Sequence, residues 1–406
     1  MDAKKMVLVV LDGLGDRGNK VLGGKTALQA AYRPNMNRLA SHGIIGLMHP
    51  VAPGVRCGSD TSHLSLLGYD PLKFYSGRGP FEAMGIGVQV MGGDLAFRAN
   101  FSTVNDEGVV VDRRAGRISE STTQLAKDLS FKMDGYEFIV KDGVEHRGAL
   151  VVRGPGLSDK ITDSDPHDSG LKVRRIEPLD DDARATADIL NRYLDRSREI
   201  LKKHPFNQDR VARGKLPANA LLIRGPGKAP ILPSFKDLHG LKGACIAGIP
   251  MIRGICAMVG MDIINVKGAT GRVDTDYVGK FRTLREIIPR YDFIILNVKA
   301  PDAAGHDGDA ILKRDVIEKT DEAIAEIIDI SDELVICITG DHSTPCTLKD
   351  HSGDPLPILF SFQNESRETR AQFDEVSCSK GPLRLTSNDV LRYMMQLANR
   401  AEKYGA

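Results

Sequence analysis

The chain has 406 residues, a formal net charge of +1 and no Trp. That length exceeds one ordinary hydrophobic core, so two domains are expected. A near-neutral chain without a long run of like charge has no global electrostatic reason to bind nucleic acid or an anionic membrane, and no apolar run is long enough to span a bilayer.

The elements follow in chain order. Residues 6–11 form a continuous apolar run, as in a strand covered on both faces, and GLGD then turns the chain. Lys4 and Lys5 before that run superficially suggest a signal peptide, but it stops at Asp12 with no small-residue cleavage site after it, so export is not expected. Residues 26–42 read as a helix interrupted at Pro34, and Ser59 to Leu67 as a second helix. The Gly- and Pro-rich FYSGRGPFEAMGIGV reads as a hinge near 76–92. Alternating segments at 94–104, 108–112, 137–140 and 148–153 then suggest strands, a polar helix is expected over 180–203 with Asp180-Asp181-Asp182 capping it, and NALLIR at 219–224 is another strand. GPGKAPILP at 225–233 is a second hinge. Strands and helices alternate again from KGACIAG through DIINV, FIILNV and LVICITG, which specifies a parallel sheet, and a capped helix closes the chain. The expected architecture is one α/β domain from both chain ends, 1–75 and 233–406, with a smaller α+β domain, 76–232, inserted into it.

The six cysteines, at 57, 245, 256, 337, 346 and 378, include no CxxC pair and several sit in apolar surroundings. This points to a reducing, cytoplasmic compartment rather than a disulfide framework.

Chemistry-bearing residues recur where apolar runs end. Asp12 follows VLVVL, Asp302 and His306 follow FIILNV, Asp341 and His342 follow LVICITG, and His351 precedes LPILF. Parallel sheets place their sites beyond the carboxyl ends of their strands, so these side chains should meet at one edge. Asp302 and His306 have the i, i+4 spacing of one helical face. Phosphate monoesters resist hydrolysis so strongly that a catalyst must lower the barrier by of order 25 kcal/mol, and two divalent ions about 4 Å apart can clamp the attacking and leaving oxygens. Mixed imidazole and carboxylate ligands suit Mn²⁺, Zn²⁺ or Co²⁺, while Mg²⁺ prefers oxygen; Mn²⁺ is the ion expected, with the others as alternatives. Ser59 follows Gly58 at a helix start, where free amides and the dipole favour an alkoxide or phosphate. It is the candidate nucleophile and a further metal ligand, with Ser62 as runner-up. His63, four residues on, could face substrate or be a core histidine.

The expected inserted domain is rich in Arg. Asp112, Arg113, Arg114 and Arg117 form its densest cluster, and Arg98, Arg147, Arg153 and Arg224 lie at or near strand ends. Guanidinium groups suit paired recognition of phosphate and carboxylate, so Asp112, Arg113, Arg114, Arg117, Arg98, Arg147 and Arg224 are candidate substrate contacts.

LDGLGD, GSDTSHLSLLGYDP, NVKAPDAAGHDGD, TGDHSTPC and HSGDPLPILF, in that order, resemble the cofactor-independent phosphoglycerate mutases of the alkaline phosphatase superfamily, most closely their archaeal-type branch. The resemblance covers nearly the whole chain. It implies an alkaline-phosphatase-like, doubly wound, mostly parallel sheet. It also implies Asp302, His306 and His351 around one ion, and Asp12, Ser59, Asp341 and His342 around the other. Ser59 would take the phosphoryl group from 3-phosphoglycerate and return it to the 2-hydroxyl, without 2,3-bisphosphoglycerate. Asp112-Arg113 resembles a substrate-contacting Asp-Arg pair of the long bacterial branch. The implied partner is a small phosphorylated acid, and a homo-oligomer stays open. A metal-dependent phosphatase or another phosphomutase would share these ligands. A non-catalytic metal-binding module is the remote alternative.

Overall fold

The computed structural model describes residues 3–362, 371–403 and 405. The chain divides into two compact units, Met1–Tyr75 with Pro233–Ala406, and Ser76–Leu232. Strands β1 (Lys5–Leu11) and β2 (Gly43–His49) precede the break. Strands β3 (Leu95–Val104), β4 (Val110–Asp112), β5 (Phe131–Met133), β6 (Tyr136–Asp142), β7 (Arg147–Arg153) and β8 (Ala220–Lys228) lie in the second unit. Strands β9 (Gly243–Ile246), β10 (Asp262–Ile263), β11 (Phe293–Val298), β12 (Leu334–Thr339), β13 (Leu356–Ser361) and β14 (Leu383–Thr386) follow.

The first unit is built on an eight-stranded sheet ordered β10-β9-β11-β1-β12-β13-β2-β14. Strands β1, β11 and β12 are buried residue for residue apart from Lys5, which is why they read as unbroken apolar runs. They pair in parallel, with Leu11 opposite Val298 and Val10 opposite Thr339, so their carboxyl ends finish level. Only β13 runs against the rest, pairing antiparallel with both β12 and β2. An antiparallel neighbour starts at the edge where β12 stops. The segment between them, which carries Asp341, His342 and His351, therefore leaves and re-enters at one edge. Strand β2 ends at that edge too and leads to Ser59.

Local signals set the helices. Pro34 divides the expected 26–42 helix into Ala27–Ala30, held by a capping box from Thr26, and Pro34–Ser41 with Pro at its first position. Asp309 caps Ala310–Ile328 by accepting from the Leu312 amide, four residues before the start of the helix expected from the sequence over 314–329. Asp180 caps a 3-10 turn that leads into Arg184–Lys203. DIINV yields only the two-residue edge strand β10.

The second unit is an antiparallel sheet ordered β4-β3-β7-β6-β5, with β8 paired to β3. One face buries Phe97, Phe101, Leu150, Val152 and Ile223 against the helices Thr122–Asp128 and Arg184–Lys203. Phe138 and Tyr193 stack there with ring centroids 4.0 Å apart. The opposite face is covered only at its margins, by a small cluster of Ala83, Ala96, Ala149 and Val151 and by another of Val104, Val110, Ala220 and Leu222. No helix among the described residues is long and apolar enough to cross a membrane.

Candidate active site

The level ends of β11, β1 and β12 put Lys299, Asp12 and Gly340-Asp341 side by side. Gly13 makes the close approach workable. Its φ is +65°, and a Cβ there would lie 2.7 Å from Asp302 Cα and from Thr344 Oγ1. Its amide donates to Asp341 Oδ1 at 2.9 Å. Asp302 and His306 occupy one helix, Ala300–Asp307, directly beyond β11. Ser59 opens the helix Ser59–Leu66.

The structure brings Asp12, Ser59, Asp302, His306, Asp341, His342 and His351 together. The Ser59 hydroxyl donates to His342 Nε2 at 2.9 Å and lies 3.4 Å from Asp12 Oδ1. His342 stacks on His351 at 3.7 Å, and the His351 and His306 rings are 5.1 Å apart. Ser62 is fully buried and turned to Cys57 Sγ at 2.9 Å, which leaves Ser59 as the serine among the acids and imidazoles.

Hydrogen bonding settles how the imidazoles face. His351 Nδ1 donates to the Cys57 carbonyl at 2.8 Å, and His306 Nδ1 to the Lys349 carbonyl at 3.1 Å. Thr344 Oγ1 donates to Asp302 Oδ1 at 2.7 Å, so it accepts from His342 Nδ1 at 3.1 Å. Each of the three rings then turns its Nε2 toward the carboxylates, within 4.0 Å of Asp302 Oδ1. Metal-ligating histidines are held this way, by an oxygen behind the other ring nitrogen.

His63 differs, and its place among the substrate contacts is corrected. It is fully buried, with Nδ1 donating to the Ser59 carbonyl at 2.7 Å and Nε2 accepting from Asn297 Nδ2 at 3.3 Å. Although His63 lies close to Asp12 and Asp341, both its nitrogens are engaged. It forms part of the wall behind Ser59.

Two residues at this sheet edge were missed in the sequence. Lys299 donates to Asp12 Oδ1 at 2.7 Å and Ser59 Oγ at 3.2 Å and pairs with Asp302 Oδ2 at 2.7 Å. Asn297 donates to Asp12 Oδ2 at 3.1 Å. Both stand inside NVKAPD, at the strand end that already drew notice for Asp302.

The site's electrostatics are unbalanced. Three carboxylates share one ammonium, and Asp341 Oδ2 is buried without a hydrogen-bond partner. Burial first, then repulsion from Asp341, pushes Asp12 up to about 8 despite Lys299. Burial would raise Asp302 too, but His351, Lys299 and His342 hold it well below the usual carboxylate range. Burial pushes His342 down to about 4, which keeps its ring neutral. Three Nε2 atoms turned toward surplus negative charge, with one buried carboxylate oxygen unclaimed, make a donor set that fits divalent cations.

In the second unit, Arg98 and Arg224 are directly opposite on β3 and β8, and Arg147 on β7 shares their face. That is the face opposite the large core. Arg113 reaches the same group through Asp165, a fully buried carboxylate missed in the sequence. The expectation for the rest of the cluster is corrected. Asp112 spends its carboxylate on the amides of Arg114 and Gly116, closing its own turn, and both Arg114 and Arg117 point to solvent. Arg117 lines a separate cleft with Arg210 and Lys215. Arg153 pairs with Asp94 instead.

With this geometry in hand, comparison with known proteins is informative. Residues 40–207 match the family model for 2,3-bisphosphoglycerate-independent phosphoglycerate mutase. Curated relatives of that name are 55% identical over 406 residues in Thermoplasma volcanium, covering all of both chains, and 53% identical over 403 residues in Picrophilus torridus, covering 99% of this chain and 100% of the relative. The solved structure of a cofactor-independent phosphoglycerate mutase from Thermoplasma acidophilum is 48% identical, covers 97% of this chain and 100% of its own, and superposes with a TM-score of 0.77. The chain belongs to the family of 2,3-bisphosphoglycerate-independent phosphoglycerate mutases, and by that membership it is an isomerase.

Proposed function

We propose that the chain interconverts 3-phosphoglycerate and 2-phosphoglycerate through a phosphoserine at Ser59, without 2,3-bisphosphoglycerate. The observation that carries this reading is the placement of the Ser59 hydroxyl 2.9 Å from His342 Nε2, with Asp12 and Lys299 also in reach. Asp302, His306 and His351 would hold one divalent ion, and Asp12, Ser59, Asp341 and His342 the other. His342 Nε2 lies 3.6 Å from Asp12 Oδ1 and 4.0 Å from Asp302 Oδ1, so it borders both groups. Bound ions would offset phosphate charge and favour an ionised serine. The ion proposed is Mn²⁺, with Mg²⁺, Co²⁺ and Zn²⁺ as alternatives; the mixed ligands suit Mn²⁺, Co²⁺ and Zn²⁺ alike.

The residues themselves do the following. Ser59 Oγ takes the phosphoryl group from O3 of the substrate; the O3–P bond breaks, the Oγ–P bond forms, and the serine proton ends on O3. The return to O2 is the same step reversed. Lys299 donates to the serine oxygen and steadies developing charge there. Helix amides beyond Gly58 face the transferred group. Arg98, Arg113, Arg147 and Arg224 of the inserted unit would bind the acid, whose retention between the two transfers separates a mutase from a phosphatase. The reaction fits a glycolytic and gluconeogenic role in the cytoplasm.

The test uses chelator-stripped protein with 3-phosphoglycerate, with and without Mn²⁺ and with no bisphosphoglycerate, assaying 2-phosphoglycerate and free phosphate together. Metal-dependent isomerisation with little free phosphate is the expected result. Free phosphate without isomerisation would make the chain a phosphatase.

A further inference from the structure

The arginines of the second unit do not stand free. Asp165 is fully buried, and its two oxygens take four hydrogen bonds. Oδ1 accepts from Arg113 Nε at 3.0 Å and from the His167 amide at 2.9 Å. Oδ2 accepts from Arg113 Nη2 at 2.5 Å and from Arg224 Nη1 at 2.9 Å. The carboxylate is itself pinned. Ser164 and Asp165 donate their amides to the Ile223 carbonyl, Ser164 Oγ accepts from the Ile223 amide at 2.9 Å, and Asp163 accepts from the Gly225 amide at 2.8 Å. Segment 163–165 is thus strapped along β8, with its one buried charge under the guanidinium groups.

The charges around it do not cancel. Arg98 faces Arg224 across the β3–β8 pair, and Arg147 lies on the same face. Arg78 and Arg98 share Glu82, at 3.3 and 3.8 Å. Five guanidinium groups therefore answer to two carboxylates, on a sheet face whose apolar cover stops on either side. Like charges directly opposite on neighbouring strands destabilise a sheet, so this face is built for something other than stability. A planar guanidinium held by a bidentate carboxylate keeps its other N–H groups in one fixed direction.

We propose that Asp165 is a positioning residue: it locks Arg113 and Arg224 into a pre-organised anion-binding face that, with Arg98 and Arg147, takes the carboxylate or phosphate oxygens of the phosphorylated acid. This rests on the reading of these arginines as substrate contacts and names the residue that makes them selective. Two effects oppose each other in Asp165→Asn. Removing a negative charge makes the face more positive and would draw anions in. Losing the bidentate lock frees two long side chains whose re-ordering must then accompany binding. The buried position and four hydrogen bonds decide for the second, because the freed groups gain mobility while most of the positive charge was already present.

The experiment is a comparison of Asp165→Asn, Asp165→Glu, Arg113→Ala, Arg224→Ala and Arg175→Ala in the metal-loaded full chain. It reads kcat and KM for 3-phosphoglycerate, direct calorimetric binding of 3-phosphoglycerate, and the thermal midpoint. Arg175 is an exposed control, paired with Asp195 on the helix Arg184–Lys203. The expected result is a KM and Kd about tenfold higher in Asp165→Asn, partial recovery in Asp165→Glu, similar rises in the two arginine variants and none in Arg175→Ala. A merely structural Asp165 would lower the active fraction and kcat while leaving KM alone, and that result overturns the proposal. An unchanged or lower KM in Asp165→Asn, with the arginine variants still impaired, overturns the positioning role but keeps the substrate reading. No rise in the arginine variants removes the substrate reading itself.

Discussion

Thr344→Val tests whether one buried hydroxyl orients the metal-facing imidazole of His342. Thr344 is fully buried, donates to Asp302 Oδ1 at 2.7 Å and accepts from His342 Nδ1 at 3.1 Å. Valine keeps the methyl group that packs against Gly305 and removes only the oxygen. A hydrogen bond to a charged group contributes about 1.5–3 kcal/mol, and a buried N–H left without a partner costs a further ~1–3 kcal/mol. Asp302 keeps its ion pair to Lys299 at 2.7 Å and can relax toward it, which argues for the lower end. We expect the chelator-stripped variant to lose about 2.5 kcal/mol in urea unfolding. With the ring free to turn, Mn²⁺ affinity by calorimetry should fall about 10–100-fold, the usual cost of removing an outer hydrogen bond to a ligating histidine. Unfolding free energy within about 0.5 kcal/mol of the parent, the range of an inconsequential surface change, together with unaltered Mn²⁺ affinity, would refute the reasoning. His342 would then be held by its stack on His351 and its hydrogen bond with Ser59.

Ser59→Ala should lower turnover by on the order of 10⁶-fold, to the assay floor, while the thermal midpoint stays near the parent's. Ser62→Ala, whose hydroxyl meets only Cys57, should keep most activity, and the opposite pairing of results would move the nucleophile. Gly13→Ala must hold φ +65° and meet the Asp302 backbone at 2.7 Å, so it should lose at least ~1–3 kcal/mol of stability and weaken Mn²⁺ binding; equal stability by urea titration would contradict the close approach. Burial raises Glu375 from 4.5 to about 7, against a 2.7 Å hydrogen bond from Thr26 Oγ1. The folded chain therefore holds this proton more tightly than the unfolded one. That contribution is fully present below about pH 4.5 and is lost as pH rises to about 7. Glu375→Gln should flatten the decline of stability across this window, and an unaltered pH profile of urea midpoints would count against it.

The fold class was legible because its signals are local. Three strands buried on both faces read as VLVVL, FIILNV and LVICIT, and Pro34 and Asp180 mark helix starts by their own chemistry. The direction of β13 was not legible, since LPILF is equally apolar in either orientation, yet that reversal carries His351 back to the edge where β12 ends. Lys299 went unread for a different reason. Beside Asp302 a lysine in NVKAPD looks like a solvated side chain, and only the level ends of β11 and β1 bring it to Asp12.

The arginines show where reading by composition fails and reading by strand position succeeds. Arg113, Arg114 and Arg117 were grouped because they are neighbours in the chain, yet they share a tight turn closed by Asp112, and Arg113 alone of the three pairs with Asp165. Arg98 and Arg224 are 126 positions apart by their numbers and stand directly opposite. What unites Arg113 with Arg224 is a single carboxylate, 52 positions from one and 59 from the other. In the sequence Asp165 is one Asp among several in ITDSDPHDSG, a stretch rich in turn-forming residues. Its meaning comes from burial. An isolated carboxylate would not be sunk under a sheet face without cations to meet it, and five guanidinium groups around two carboxylates leave positive charge for the further anion proposed above.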